Sequence, residues 1–156
     1  MVAVIQRVTR ASVEVEGEIA GKIDRGFLVL LGVAKGDTRE EADLLADKIC
    51  GLRIFTDEND KMNLALGDVG GSILAISNFT LLADASHGRR PNFMNAQLPQ
   101  QADELYRHFV RRCRINGIPT ETGVFGAVMQ VSIENNGPVT IILDTDRLKK
   151  LSLIHI

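Results

Sequence analysis

From Val2 to Val15 apolar and polar residues alternate, the period-2 pattern of a strand with one face on a core and the other in water. Glu16-Gly17-Glu18 offers a turn and Ile19 to Ile23 resumes the alternation, which predicts an opening β-hairpin. Phe27-Leu28-Val29-Leu30-Leu31-Gly32-Val33 is short and apolar throughout, as expected of a central strand covered on both faces. At Thr38-Arg39-Glu40-Glu41 a hydroxyl precedes a glutamate by three positions, so each side chain can satisfy the other residue's free backbone N–H at a helix start. Thr38 is the expected N-cap. Ala42, Leu45, Ile49 and Leu52 fall on one face of that helix, and Arg53-Ile54-Phe55-Thr56 returns to strand character before an Asp57-Glu58-Asn59-Asp60 turn.

Ser72 to Leu82 reads as a second buried strand. The polar stretch from Asp84 to Gln97, carrying His87, Gly88, Arg89, Arg90 and Pro91, is a loop of the length that function usually justifies. Pro99 starts a helix whose Ala102, Leu105, Tyr106, Phe109, Val110 and Cys113 make one apolar stripe ending near Asn116-Gly117. Its other side shows Arg107, Arg111, Arg112 and Arg114, a solvated face or a surface for phosphates. Gly123 to Asn135 and Val139 to Thr145 read as a closing pair of strands joined through Asn136-Gly137-Pro138. The class is α+β: roughly seven strands and two principal helices, with no repeat and no linker.

Composition narrows the function. A chain of 156 residues with 45% hydrophobic and 24% charged residues is expected to form one folded domain. The formal net charge of −2 argues against a globally basic DNA-binding surface but leaves room for a local patch. Cys50 and Cys113 lie far apart without metal-ligand spacing, so a reduced compartment fits, with neither zinc nor a disulfide framework. The longest apolar run, Gly26 to Ala34, is about nine residues against the roughly 20 of a membrane-spanning helix. The first residues lack a basic start followed by an apolar stretch and cleavage site, so a cytoplasmic protein is expected.

Conventional catalytic equipment is scarce. His87, His108 and His155 form no metal-ligand or triad pattern, the acidic turn at Asp57 to Asp60 lacks the rest of a calcium loop, and no glycine-rich phosphate cradle follows a strand. Two segments are unusual for their setting. In Ser77-Asn78-Phe79-Thr80-Leu81 a buried strand ends in polar residues, either satisfying local backbone or presenting a hydroxyl and free N–H groups to a developing oxyanion. In Asn136-Gly137-Pro138-Val139-Thr140 a proline that cannot donate and a permissive glycine sit between apparent strands, where a plain turn also suffices.

Together with Ile5-Gln6-Arg7-Val8-Thr9-Arg10-Ala11-Ser12-Val13, Leu30-Leu31-Gly32-Val33, Arg53-Ile54-Phe55, Lys61-Met62-Asn63-Leu64, Gly88-Arg89-Arg90-Pro91-Asn92-Phe93 and Met129-Gln130-Val131-Ser132, those segments resemble the D-aminoacyl-tRNA deacylases over nearly the whole chain. The family's SQFTL is here SNFTL at Ser77 to Leu81, and its NxGPVT is Asn135 to Thr140. The resemblance implies a mainly antiparallel, barrel-like sheet in a domain spanning residues 1–148, followed by a tail at 149–156 of no assigned role. It implies a cytoplasmic homodimer that hydrolyses the ester of D-aminoacyl-tRNA or glycyl-tRNA at the 3′ acceptor end, without metal or cofactor, membrane or DNA.

In such a site Phe79 and Thr80 supply backbone oxyanion donors within the catalytic segment Ser77, Asn78, Phe79, Thr80. The carbonyl oxygens of a cis Gly137–Pro138 peptide, reaching in from the partner, hold the substrate ammonium and exclude L side chains. Asn136, Met129 and Phe125 complete the substrate-binding set. Nothing supplies a general base to Thr80, so a route assisted by the ribose 2′-hydroxyl is favoured over a threonine nucleophile. Asn78 departs from the family glutamine by one methylene. A silent tRNA-end or small-ligand binding module and a generic Thr80 esterase are the competing readings.

Overall fold

The computed structural model describes residues 1–154. The opening hairpin forms as expected: β1 (Val2–Val15) turns through Glu16 and Gly17, both at positive φ, into β2 (Glu18–Ile23). β3 (Gly26–Gly32) follows, then α1 (Arg39–Gly51). Thr38 caps α1 through a reciprocal pair in which the Glu40 N–H donates to Thr38 Oγ1 at 3.3 Å and the Thr38 N–H donates to Glu41 Oε2 at 3.0 Å. The segment expected as one strand at Arg53 to Thr56 is only β4 (Phe55–Thr56), paired with β5 (Met62–Leu64) across a turn in which Asp57 Oδ1 accepts from the Asn59 and Lys61 N–H groups. A four-residue α2 (Leu66–Val69) leads into β6 (Ser72–Ser77). Then come a 3₁₀ turn (Phe79–Leu82), the loop 83–98, α3 (Pro99–Ile115), β7 (Thr120–Thr122), β8 (Gln130–Asp144) and α4 (Thr145–Ile154).

The principal sheet runs β2-β1-β3-β6-β7, with β8 also paired to β1, so that β1 lies between β8 on one side and β3 followed by β2 on the other. Its pairings are antiparallel around β1, but β3–β6 and β6–β7 are parallel. This six-stranded sheet is therefore mixed, and with the separate β4–β5 pair the described residues hold eight strands where about seven were expected. The parallel pairs arise because α1 and α3 carry the chain back across one face between strands running in the same direction, which a tight hairpin cannot do. That face buries Ile5, Phe27, Val29, Leu31, Ile73 and Ala75 against Leu45, Ile49, Phe109 and Val110. Val8, Val13, Leu28, Leu74 and Ile76 form a second cluster, joined by Met129 and Val131. β3 and β6 thus bury side chains in both clusters, the reason their sequences are continuously apolar.

The expected α3 stripe is the buried one, and Tyr106 within it donates its hydroxyl to the Ala75 carbonyl at 2.6 Å. Burial pushes the Tyr106 phenol up to about 12, so it serves as a neutral anchor. Cys50 and Cys113 are both free thiols. No described helix is long and apolar enough to cross a membrane. Most of the tail left without an assigned role is helical, with Lys149 of α4 donating to Glu41 at 2.9 Å; His155 lies outside the described residues.

Candidate functional site

The run Ser72 to Leu82, read as one strand, stops as β6 at Ser77 because Asn78 turns the chain. The Asn78 N–H still donates to the Leu31 carbonyl at 2.8 Å, while its side-chain Oδ1 accepts from the Thr80 N–H at 3.1 Å and from the Thr80 hydroxyl. An asparagine one residue before a 3₁₀ turn caps it in this way, and the fold exposes Phe79 and Thr80. The turn packs closely over Gly32, where an added Cβ would fall 2.5 Å from Leu82 Cδ2 and 3.0 Å from Leu81 Cβ, so a larger residue there would have to push Leu82 aside.

Beside this turn lies a cavity of about 640 Å³. Ser77, Asn78 and Phe79 form one wall, Phe125, Gly126, Ala127 and Met129 a second, and Ala96 to Pro99 with Ala102 a third. Among the described residues no charged side chain lines it. Phe79 is 56% exposed and sits edge-to-face on Phe93, with centroids 5.0 Å apart at 71°. Phe93 belongs to the long polar loop, which doubles back through the Asp84–Asn92 bridge. Sequence patterning gave Phe93 no role; an aromatic inside a polar loop was the available signal.

Asn136, Gly137 and Pro138 are elsewhere. Residues 130–144 form one strand rather than two joined by a turn, because β1 pairs with both of its halves: Val8 faces Asn135 and Gln6 faces Thr140. Between those pairs residues 136–139 bulge out opposite Arg7, with Gly137 at φ +133° and a cis Gly137–Pro138 peptide. A Cβ on Gly137 would lie 2.7 Å from Val139 Cγ2, so this position requires glycine on both counts. Arg7, buried at the base, donates Nε to the Asn136 carbonyl at 3.0 Å and Nη1 to the Ile54 carbonyl at 2.7 Å. Asn135 Oδ1 accepts from the Val139 N–H at 2.9 Å, closing the bulge from within. Gly137 and Pro138 are exposed, and neither they nor Asn136 line the 640 Å³ cavity. The single chain brings Ser77, Asn78, Phe79, Phe125 and Met129 together, sets Thr80 at the edge, and leaves the Gly–Pro tip apart.

Chemically the cavity is an apolar chamber with a peptide N–H at its edge. The Thr80 N–H is engaged by Asn78, whereas the Phe79 N–H has no hydrogen-bond partner among the described residues. Thr80 Oγ1 is bonded to an amide oxygen, far too weak a base to activate it. No group of three or more His, Cys, Asp or Glu side chains among the described residues could hold a metal.

Comparison with known proteins places this geometry among relatives. Residues 4–144 match the family described as D-Tyr-tRNA(Tyr) deacylase. The chain is 56% identical over 147 residues to the D-aminoacyl-tRNA deacylase of Koribacter versatilis (strain Ellin345), covering 94% of this chain and 99% of that one. It is 55% identical over 140 residues to the D-aminoacyl-tRNA deacylase of Yersinia pestis (strain Pestoides F), covering 90% of this chain and 97% of that one. Among solved structures, that of a c-Myc DNA Unwinding Element Binding Protein superposes with a TM-score of 0.87 at 44% identity, over 92% of this chain and 98% of that one.

Proposed function

This chain belongs to the D-Tyr-tRNA(Tyr) deacylase family, and on that premise we propose that it hydrolyses the ester joining a D-amino acid, or glycine, to the terminal adenosine of tRNA. The observation that carries this reading is the uncharged cavity of about 640 Å³ beside the Phe79 N–H. It has room for many side chains without reading any of them, and it sits next to a donor suited to an ester oxyanion. A cytoplasmic location, where translation runs, follows from that substrate.

Since no charged side chain lines the cavity among the described residues, the substrate ammonium is met by carbonyl oxygens. In this reading the exposed Gly137 and Pro138 of a second copy of the chain provide those carbonyls, and Arg7 holds each tip through Asn136. With the ammonium and the ester carbonyl fixed, an L side chain points into the wall and is excluded, whereas glycine offers nothing to exclude. The Phe79 N–H takes the oxyanion. Asn78 Oδ1 occupies the Thr80 N–H and hydroxyl, so Thr80 shapes the turn and the ribose 2′-hydroxyl orients the attacking water. Water adds to the ester carbonyl, the C–O bond to the ribose breaks, and free amino acid and tRNA leave.

Single-turnover hydrolysis of matched D-, L- and glycyl-tRNA tests this. The wild type is expected to cleave the D and glycyl esters and to spare the L ester; Thr80→Ala is expected to retain appreciable activity and Pro138→Ala to lose discrimination. Equal attack on L esters overturns the filter. Binding without turnover of any ester replaces the enzyme with a tRNA-end binding module, and recovery in Asn78→Gln would then trace the loss to the short side chain.

A further inference from the structure

On the far side of Phe125 the wall of the uncharged cavity becomes the wall of a second one, of about 430 Å³. This groove is of opposite character. Arg107, Arg111 and Arg114 line it from α3, and Asp103 is the only acidic residue there among the described residues. Spacings of four and three residues stack the arginines along one helix face. Arg107 is steadied by Asp103 at 2.9 Å, and Arg114 is held against the Thr120 carbonyl by Nε and Nη2 at 3.2 and 2.7 Å. Arg111 is exposed and has no ion-pair partner among the described residues. The fourth arginine of this helix, Arg112, turns away to a two-pronged bond with Asp47 of α1. In a chain of net charge −2, three arginines against one aspartate in a groove beginning at the cavity wall form a local field for an anion.

We propose that the Arg107–Arg111–Arg114 groove receives the phosphate backbone of the acceptor strand leading to the esterified adenosine. The proposal rests on the deacylase reading for its substrate. The shared Phe125 makes the two cavities neighbours, so a strand whose terminal ester occupies the first has its preceding phosphates beside the second. Guanidinium groups suit a phosphate backbone because they stay charged, bind phosphate oxygens in pairs and carry no sequence preference. The groove therefore contributes affinity common to all acceptor ends, while the cavity selects the ester.

The test is the Arg107→Gln/Arg111→Gln double variant, with a Lys22→Gln/Lys48→Gln variant as control for the same charge change at residues lining neither cavity. Binding of an uncharged acceptor-stem minihelix and turnover of D-aminoacyl-tRNA and of D-aminoacyl-adenosine, which lacks the preceding phosphates, are measured over a range of salt. The arginine variant is expected to bind the minihelix about tenfold more weakly. Its slope of log affinity against log salt should be shallower by roughly 0.7 per arginine removed. KM should rise for the tRNA alone, with kcat held and cleavage of the adenosine ester retained. Unchanged minihelix affinity and salt slope, or an equal loss on both esters, overturns the proposal. Failure of the deacylase reading looks different: wild type that cleaves neither ester while minihelix binding still depends on the two arginines.

Discussion

The α1–α3 face and the rim of the uncharged cavity use the same residue types under opposite rules. On the helix face Phe109 is fully buried, and the polar edge is closed by His108 to Asp43 at 2.7 Å and Arg112 to Asp47 at 2.8 Å. On the rim Phe79 and Phe93 are exposed, Val128 is 94% exposed, and the Phe79 N–H has no partner among the described residues. The first region is complete within one chain. The second leaves apolar area unburied, the mark of a binding surface.

The largest expected effect separates the two regions. Phe109→Ala should lower unfolding free energy by about 3–5 kcal/mol, the usual range for a fully buried phenylalanine. Phe79→Ala, at 56% exposure, should change it by no more than about 0.5 kcal/mol while reducing single-turnover hydrolysis of the D ester, since it keeps the backbone N–H but removes the cavity wall that rests on Phe93. Urea unfolding of both variants checks the contrast, and a comparably large stability loss in Phe79→Ala would abolish it. A smaller effect sharpens the idea that the rim is completed by a second copy. The isolated mixed pair of Phe79→Ala and Pro138→Ala chains should cleave the D ester while sparing the L ester, a combination neither variant shows alone, since a mixed pair carries one site with both halves intact. Absence of that combination in a verified mixed dimer would place both halves in one chain. The smallest effect lies on the helix face. Burial alone would raise the Glu41 carboxyl, but hydrogen bonds from Thr38 and Lys149 outweigh it and hold the group at about 2 instead of 4.5. Its contribution to stability is therefore present above pH 4.5 and lost as pH falls toward 2. The stability difference between pH values of about 6 and about 3 should be smaller in Thr38→Ala than in wild type.

Legibility divides along the same line. The α3 stripe was readable residue by residue because a helix buries the face that its 3.6-residue period defines, and Thr38 because a capping box is a local bond. β4, β5 and α2 are too short for any period to mark. The family motifs pointed to Ser77 through Thr80 and to Gly137–Pro138 without saying how either is held.

By itself the amino-acid sequence determined the α+β class, the buried strands and helix faces, the capped start of α1, and two motif segments odd enough to carry function. These rest on interactions within a few residues or on the alternation of apolar positions. Only tertiary structure decided that β6 ends at Asn78, since that depends on a side chain folding back while the backbone stays bonded to β3. It also decided that residues 130–144 are one strand bulging at 136–139, since β1 pairs on both sides of the bulge and Arg7 fills its base. The cavity, too, is assembled from segments 77–79, 96–99 and 125–129, brought together by parallel crossovers that no local pattern records.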